Sequence, residues 1–110
     1  MAEKIAIDYD EEFDDLYVYR KDKKSDFSVN LGDFVIDVKK DDGSIVGIEI
    51  LQATDTISKL LDTEITKNDI NAIKDAVIIV NTRENALYIH LSLESKKNIK
   101  LPIVMPAVHA

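Results

Sequence analysis

The sequence contains no cysteine, only three glycines and only two prolines. Without cysteine the chain has no disulfides, thiolate nucleophiles or thiolate metal ligands. Its glycines are Gly32, Gly43 and Gly47, and they are too scattered to form a glycine-rich phosphate-binding loop. No apolar stretch approaches the ~20 residues that span a bilayer, and the N-terminus lacks the features of a signal peptide. These absences predict a cytoplasmic protein with no membrane partner.

Negative charge dominates the composition, with a formal net charge of -7. Because the phosphate backbones of nucleic acids bind clustered lysine and arginine side chains, this charge argues against nucleic acid as a partner. The acids concentrate near the N-terminus, where Asp8, Asp10 and Asp14 form a candidate site for calcium or magnesium. The spacing is not that of an EF-hand, and a solvated acidic surface is the alternative. No cofactor is expected.

Hydrophobic patterning predicts an α+β fold: an antiparallel sheet built from hairpins, with one or two short helices packed on one face. Residues 5–9 and 16–19 alternate as half-buried strands do. The segments 34–38 and 45–51 flank Asp42-Gly43, a strong hairpin signal because glycine accepts positive φ. Residues 27–31 predict a further short strand. Whether these hairpins form one sheet or two stays open.

Two helices are predicted after these strands. Thr54 is expected to cap the first, with Ile57, Leu60 and Leu61 on its buried face. Thr66 and Asp69 predict a capping box for the second, whose inward face would carry three further residues: Ile70, Ile73 and Val77.

The remaining residues predict a second hairpin, 77–80 with 87–93, and a last strand, 99–105. Pro102 cannot donate a ladder hydrogen bond, so this strand is expected either at a sheet edge or as an arm that pairs with a partner. A chain of 110 residues predicts one domain over 1–110. Its two parts would be residues 4–61 and residues 62–110.

The two hairpins repeat each other when the sequence is shifted by 71 positions. Leu16 then coincides with Leu87, and Tyr17 with Tyr88. A duplicated hairpin explains this match, and so does the general similarity of hairpins rich in isoleucine and tyrosine. Both explanations stay open.

Two motifs in the first half carry a family resemblance. They are the opening Tyr9-Asp10 with Asp14-Asp15-Leu16-Tyr17, and the later run Asp41-Asp42-Gly43-Ser44-Ile45-Val46-Gly47-Ile48-Glu49-Ile50-Leu51. They make residues 4–61 resemble the YuzE-like family of uncharacterised small proteins (domain of unknown function 2283). The resemblance implies a small antiparallel sheet with a helix and no established activity. It also places some relatives beside toxin genes, which implies an antitoxin-like role.

Four side chains are candidates for binding a ligand or partner: Tyr17, Tyr19, Tyr88 and His90. Strand alternation predicts that they share the sheet face turned away from the core. Amphipathic aromatics of this kind are typical of protein contacts, and a small-ligand site is the alternative. No Gly-x-Ser-x-Gly motif is present. We therefore expect no catalytic residues, and enzymatic activity is not favoured.

Together these features predict a non-catalytic protein-interaction module, antitoxin-like or regulatory, that forms a homodimer and binds a protein partner. The alternative is a divalent-cation or small-ligand binding protein that uses the acidic N-terminal loop or the Tyr/His face.

Overall fold

The computed structural model describes residues 5–81, 86–93 and 98–104. Within these residues it contains antiparallel sheets and two helices, which confirms the α+β class. The elements in chain order are β1 (Ile5–Asp10), β2 (Asp15–Arg20), β3 (Phe27–Leu31), β4 (Phe34–Val38), β5 (Ile45–Ile50), α1 (Ala53–Leu61), α2 (Lys67–Asn71), β6 (Ile73–Asn81), β7 (Ala86–Leu93) and β8 (Asn98–Val104).

The strands form two separate sheets. The first has the order β1-β2-β5-β4-β3 and the second has the order β6-β7-β8. β5 lies at the centre of the first sheet, where Val18 and Ile36 flank Ile48 in register. These three side chains are fully buried. The strand predicted for the 45–51 segment is therefore confirmed as β5.

The hairpin of β4 and β5 turns where the sequence predicted it. Gly43 has a positive φ of 69°, and the Lys39 N–H donates to the Ser44 carbonyl at 2.9 Å. The ladder pairs Asp37 with Gly47 and then shifts register, so that an extra residue forms a bulge next to Gly47. This bulge lies in β5, the central strand of the first sheet.

The second sheet repeats three strands of the first. Val18 pairs with Ile48 in the first sheet, and Ile89 pairs with Leu101 in the second. All four side chains are fully buried. The 71-residue shift holds in the register of the first two strands, since Ile7 pairs with Val18 and Ile78 pairs with Ile89. The third strands, β5 and β8, take the same place in each sheet but do not follow that shift, because Ile48 corresponds to Leu101. β1-β2-β5 and β6-β7-β8 are equivalent three-stranded units.

The helix α2 begins as predicted. The Thr66 side chain accepts from the Asp69 N–H, and Asp69 accepts from the Thr66 N–H, which completes the capping box. The helix ends at Asn71, however, and the chain continues as β6. Ile73 and Val77 therefore lie in a strand and not on the predicted helix face, and Val77 is 48% exposed.

The helix α1 begins differently from the prediction. It starts at Ala53 after Gln52, which has a left-handed backbone and no side-chain cap. Thr54 lies inside the first turn and donates to the Asp14 carboxylate. The predicted Thr54 cap is therefore wrong, because an aspartate distant in sequence takes that role. Leu60 was also wrongly assigned to the buried face, since it is 44% exposed.

One hydrophobic core joins both sheets and both helices. Ile57 of α1 and Ile70 of α2 belong to the same buried cluster as the inner faces of the two sheets. The prediction that the helices pack on one face of a sheet is not supported. Neither helix of the described residues has the length and apolar composition needed to cross a membrane.

β8 lies at the edge of the second sheet, which confirms the edge-strand alternative for this segment. Pro102 stands opposite Tyr88 in its register. Met105, the last residue of the predicted strand, lies outside the described residues.

Candidate functional site

The outer face of the five-stranded sheet is acidic. Strand alternation turns Asp8, Tyr17 and Glu49 away from the core, because their neighbours along each strand point inward. An open depression of about 680 Å³ lies on this face. We call this surface the acidic face and define it by Asp8, Asp10, Asp15, Tyr17, Tyr19, Asp37 and Glu49.

Tyr17 crosses the central strand of the acidic face. It stands on β2, yet its hydroxyl donates to the carboxylate of Asp37 on β4, two strands away. The ring therefore passes over Gly47 of β5. A Cβ atom at Gly47 would lie 2.7 Å from the Tyr17 hydroxyl oxygen and 2.9 Å from the Tyr19 Cβ. Glycine is needed here because the tyrosines occupy the space of a side chain.

The tyrosines of β2 form a stacked pair. The ring centroids of Tyr17 and Tyr19 are 4.7 Å apart, with an interplanar angle of 18°. Burial and the hydrogen bond to Asp37 raise the pKa of Tyr17, so this phenol stays neutral at physiological pH. Ser28 of β3 donates a second hydrogen bond to Asp37 at 2.6 Å. Asp37 thus fixes the orientation of the tyrosine stack.

The carboxylates of the acidic face have no cationic partners among the described residues. Asp10 and Asp15 stand directly opposite each other in the ladder. Burial, reinforced by the charges of Asp15 and Asp37, raises the pKa of Glu49. The face therefore concentrates negative charge that no lysine or arginine of the described residues neutralises by an ion pair.

We expect Glu49→Gln to stabilise the protein at pH 7, on the order of 0.5 kcal/mol, because it removes a partly buried charge together with its like-charge repulsion across the sheet. The folded-state pKa of Glu49 lies above its ordinary value of 4.5. Its ionised form is therefore disfavoured by folding, and the gain should vanish as the pH falls below 4.5. Urea unfolding of both proteins at pH 7 and pH 4 measures this difference. An unchanged or lower stability at pH 7 would contradict it.

Asp14 has a structural role and is not part of the acidic face. Its carboxylate accepts from the Tyr9 hydroxyl at 2.5 Å, the Thr54 hydroxyl at 2.5 Å and the Thr54 N–H at 3.1 Å. Burial raises its pKa, but the hydrogen bonds from Thr54 and Tyr9 outweigh that effect and hold the pKa below the ordinary value. Asp14 joins the β1–β2 turn to the start of α1.

The structure brings together two of the three predicted metal ligands, and the third lies apart from them. Asp8 and Asp10 lie on the acidic face, whereas the Asp14 carboxylate is occupied by Tyr9 and Thr54. One oxygen of Asp10 also accepts the backbone N–H groups of residues 12 and 13 within its own loop. In the part of the chain that the structure describes, no group of three acids or histidines is arranged to bind a metal ion.

The four predicted binding side chains do not share one face. Tyr17 and Tyr19 lie on the five-stranded sheet, whereas Tyr88 and His90 lie on the outer face of the three-stranded sheet. The prediction of a common face was wrong because the hairpins form two sheets that pack through their inner sides. On the second outer face, the ammonium group of Lys100 lies 4.6 Å from the centroid of the Tyr88 ring.

Comparison with known proteins concerns the part of the chain that carries the acidic face. Residues 6–53 match the family described as "Protein of unknown function (DUF2283)". The resemblance inferred from the sequence is therefore confirmed for the first half. An uncharacterized protein of Methanocaldococcus jannaschii is 47% identical over 51 residues. That match spans 46% of this chain and 43% of the relative. No solved structure matches the chain.

Sequence reasoning missed three residues of the site: Asp37, Glu49 and Gly47, the residue over which the Tyr17 ring lies. A signal for the two acids was present, because each interrupts an apolar strand at an outward position, between Ile36 and Val38 or between Ile48 and Ile50. No comparable sequence pattern indicates that the Tyr17 side chain extends across β5 to Asp37.

Proposed function

We propose that this chain is a non-catalytic protein-interaction module whose acidic face binds a basic segment of a partner protein. The observation that carries this proposal is a set of carboxylates that surround an ordered tyrosine stack and have no cationic partner among the described residues. The cellular form of this function that we favour is regulatory or antitoxin-like, in the cytoplasm.

Charge complementarity supports a partner segment rich in basic side chains. Arginine is the best match, since its guanidinium pairs with carboxylates through two hydrogen bonds and stacks on aromatic rings. Tyr17 and Tyr19 supply stacked rings at the border of the carboxylates. Asp15 and Glu49 supply acceptor oxygens that form no ion pair within the part of the chain that the structure describes. The hydrogen bond to Asp37 holds the Tyr17 ring in place and Tyr19 stacks on that ring, so little conformational entropy is lost on binding.

The second sheet serves as an internal control for this argument. In the matching register, Ile79 takes the place of Asp8, and Pro102 takes the place of Glu49. The same three-stranded unit therefore forms without acids at these positions. The carboxylates of the acidic face are not required by the fold, and their mutual repulsion favours a role in binding.

An arginine-rich peptide titrated into the protein tests the proposal. We expect a dissociation constant of about 10 μM. The affinity should fall as the salt concentration rises, because exposed charges are screened. The triple variant Asp8→Asn, Asp15→Asn and Glu49→Gln should weaken binding by at least about 10-fold, which corresponds to the loss of a few charge pairs. Fluorescence anisotropy measures both effects.

A matched control variant separates the effect of the acidic face on peptide affinity from the effect of the net charge. The control variant changes three exposed acids elsewhere: Asp22→Asn, Asp41→Asn and Glu64→Gln. Its net charge equals that of the first variant, and its affinity should stay within about twofold of the wild type if only screened long-range attraction is lost. Equal losses in the two variants, or no peptide binding by the wild type, would refute the proposal.

A further inference from the structure

The edges of the two sheets are protected to different degrees. β1 and β6 are edge strands of different sheets, and their Cα atoms approach within 8 Å. Stacked sheets lie about 10 Å apart, so this closer approach places the two edges side by side. β8 carries Pro102 and has α1 close to it. These three edges are therefore covered or interrupted by proline.

The fourth edge, β3, has no such protection among the described residues. Its sequence, Phe27-Ser28-Val29-Asn30-Leu31, contains neither a charged residue nor a proline. β4 is its neighbour on one side, and no strand of residues 5–81, 86–93 or 98–104 pairs with the opposite side. Phe27 is 48% exposed on this edge. An uncharged edge strand of this kind is a template for pairing with another strand.

The pattern of β3 is complementary to itself. In an antiparallel pair centred on Val29, that residue stands opposite its own copy, and Phe27 stands opposite Leu31 of the second copy. These apolar pairs continue the inner face of the sheet, where Val29 and Leu31 already pack against the core. On the other face Ser28 stands opposite Asn30, which allows hydrogen bonding. No like charges meet.

We propose that β3 pairs with β3 of a second copy, so that two five-stranded sheets join into one ten-stranded sheet. The pair adds main-chain hydrogen bonds and covers Phe27. An antiparallel edge pairing relates the copies by a twofold axis perpendicular to the sheet. Both acidic faces therefore lie on the same side of the dimer. This proposal does not depend on the identity of any other partner.

Sedimentation equilibrium of the full chain tests the dimer. We expect a mass of twice the 12.4 kDa chain at about 100 μM, since the short interface favours a dissociation constant in the micromolar range. The double variant Ser28→Lys and Asn30→Lys places lysine opposite lysine twice and should weaken dimerisation by at least about 10-fold. The control Asn68→Lys and Asn71→Lys adds the same charge on α2 and should remain dimeric.

A cysteine at the axis tests the register directly. The chain has no cysteine, so a Val29→Cys variant carries a single thiol that would face its own copy. We expect mild oxidation to crosslink this variant into a dimer, whereas an Asn71→Cys variant should stay uncrosslinked. A wild-type monomer at about 100 μM, equal dimerisation of both lysine variants, or no preferential crosslinking at position 29 would overturn the proposal. Misfolding of the lysine variant would leave the crosslink as the deciding measurement.

Discussion

Replacing Gly47 with alanine is expected to lower the free energy of unfolding by about 2 kcal/mol, because overpacking forces neighbouring groups to move. The new Cβ would lie 2.7 Å from the Tyr17 hydroxyl oxygen and 2.9 Å from the Tyr19 Cβ. The first atom ends a side chain that can swing away, but the second is fixed close to the backbone. We therefore expect the tyrosine stack to open and the hydrogen bond from Tyr17 to Asp37 to break.

Urea unfolding measures the cost, and a double-mutant cycle assigns it. In a Tyr17→Ala background the space above Gly47 is partly free, so Gly47→Ala should cost about 1 kcal/mol less there. The same substitution should weaken binding of the arginine-rich peptide, since the ring that stacks on the guanidinium is displaced. If Gly47→Ala is as stable as the wild type, the tyrosines do not occupy this space.

Removing the Asp14 carboxylate is the second large effect. We expect Asp14→Ala to lower the free energy of unfolding by about 2–3 kcal/mol, from the lost helix cap and the strain of a left-handed residue without a polar side chain. Asp14 has a positive φ of 58°, and its carboxylate binds Tyr9 and Thr54. Asp14→Asn is the matched control, because asparagine accepts this backbone and keeps one oxygen acceptor; it should cost about half as much.

The contribution of the Asp14 charge to the free energy of unfolding should decrease on acidification. Its folded-state pKa is below the ordinary value of 3.8, so folding favours the ionised form. The stability advantage of the wild type over Asp14→Asn should be complete above pH 3.8, the ordinary value. It should decline as the pH falls through the folded-state pKa. Thermal unfolding at pH 7, 4 and 3 measures the difference. An advantage that grows on acidification would contradict the role assigned to Asp14.

Local signals predicted the strands and their turns well. Asp42-Gly43 marked a hairpin because glycine tolerates positive φ, and Thr66 with Asp69 marked a helix start because the capping box lies within four residues. These features are encoded by adjacent residues, so the sequence alone carries them.

Features that depend on distant contacts were missed. Asp14 caps α1 from a position 40 residues earlier, and no pattern near Thr54 indicates it. Likewise, alternation correctly turned Tyr17 and Tyr88 outward, yet it could not assign them to different sheets. The number of sheets depends on which strands pair, and pairing is decided by the packing of the complete chain.

Nuclear magnetic resonance during titration with the arginine-rich peptide tests most directly whether the acidic face is a protein-binding surface. Backbone amide shifts at Asp8, Tyr17 and Glu49 should change with peptide concentration. The shifts at the matching positions of the second sheet, Ile79 and Tyr88, should stay constant. Pro102 has no backbone N–H, so its neighbour Leu101 is followed in its place. Shifts of equal size on both outer faces, or none on the five-stranded sheet, would contradict the proposed role.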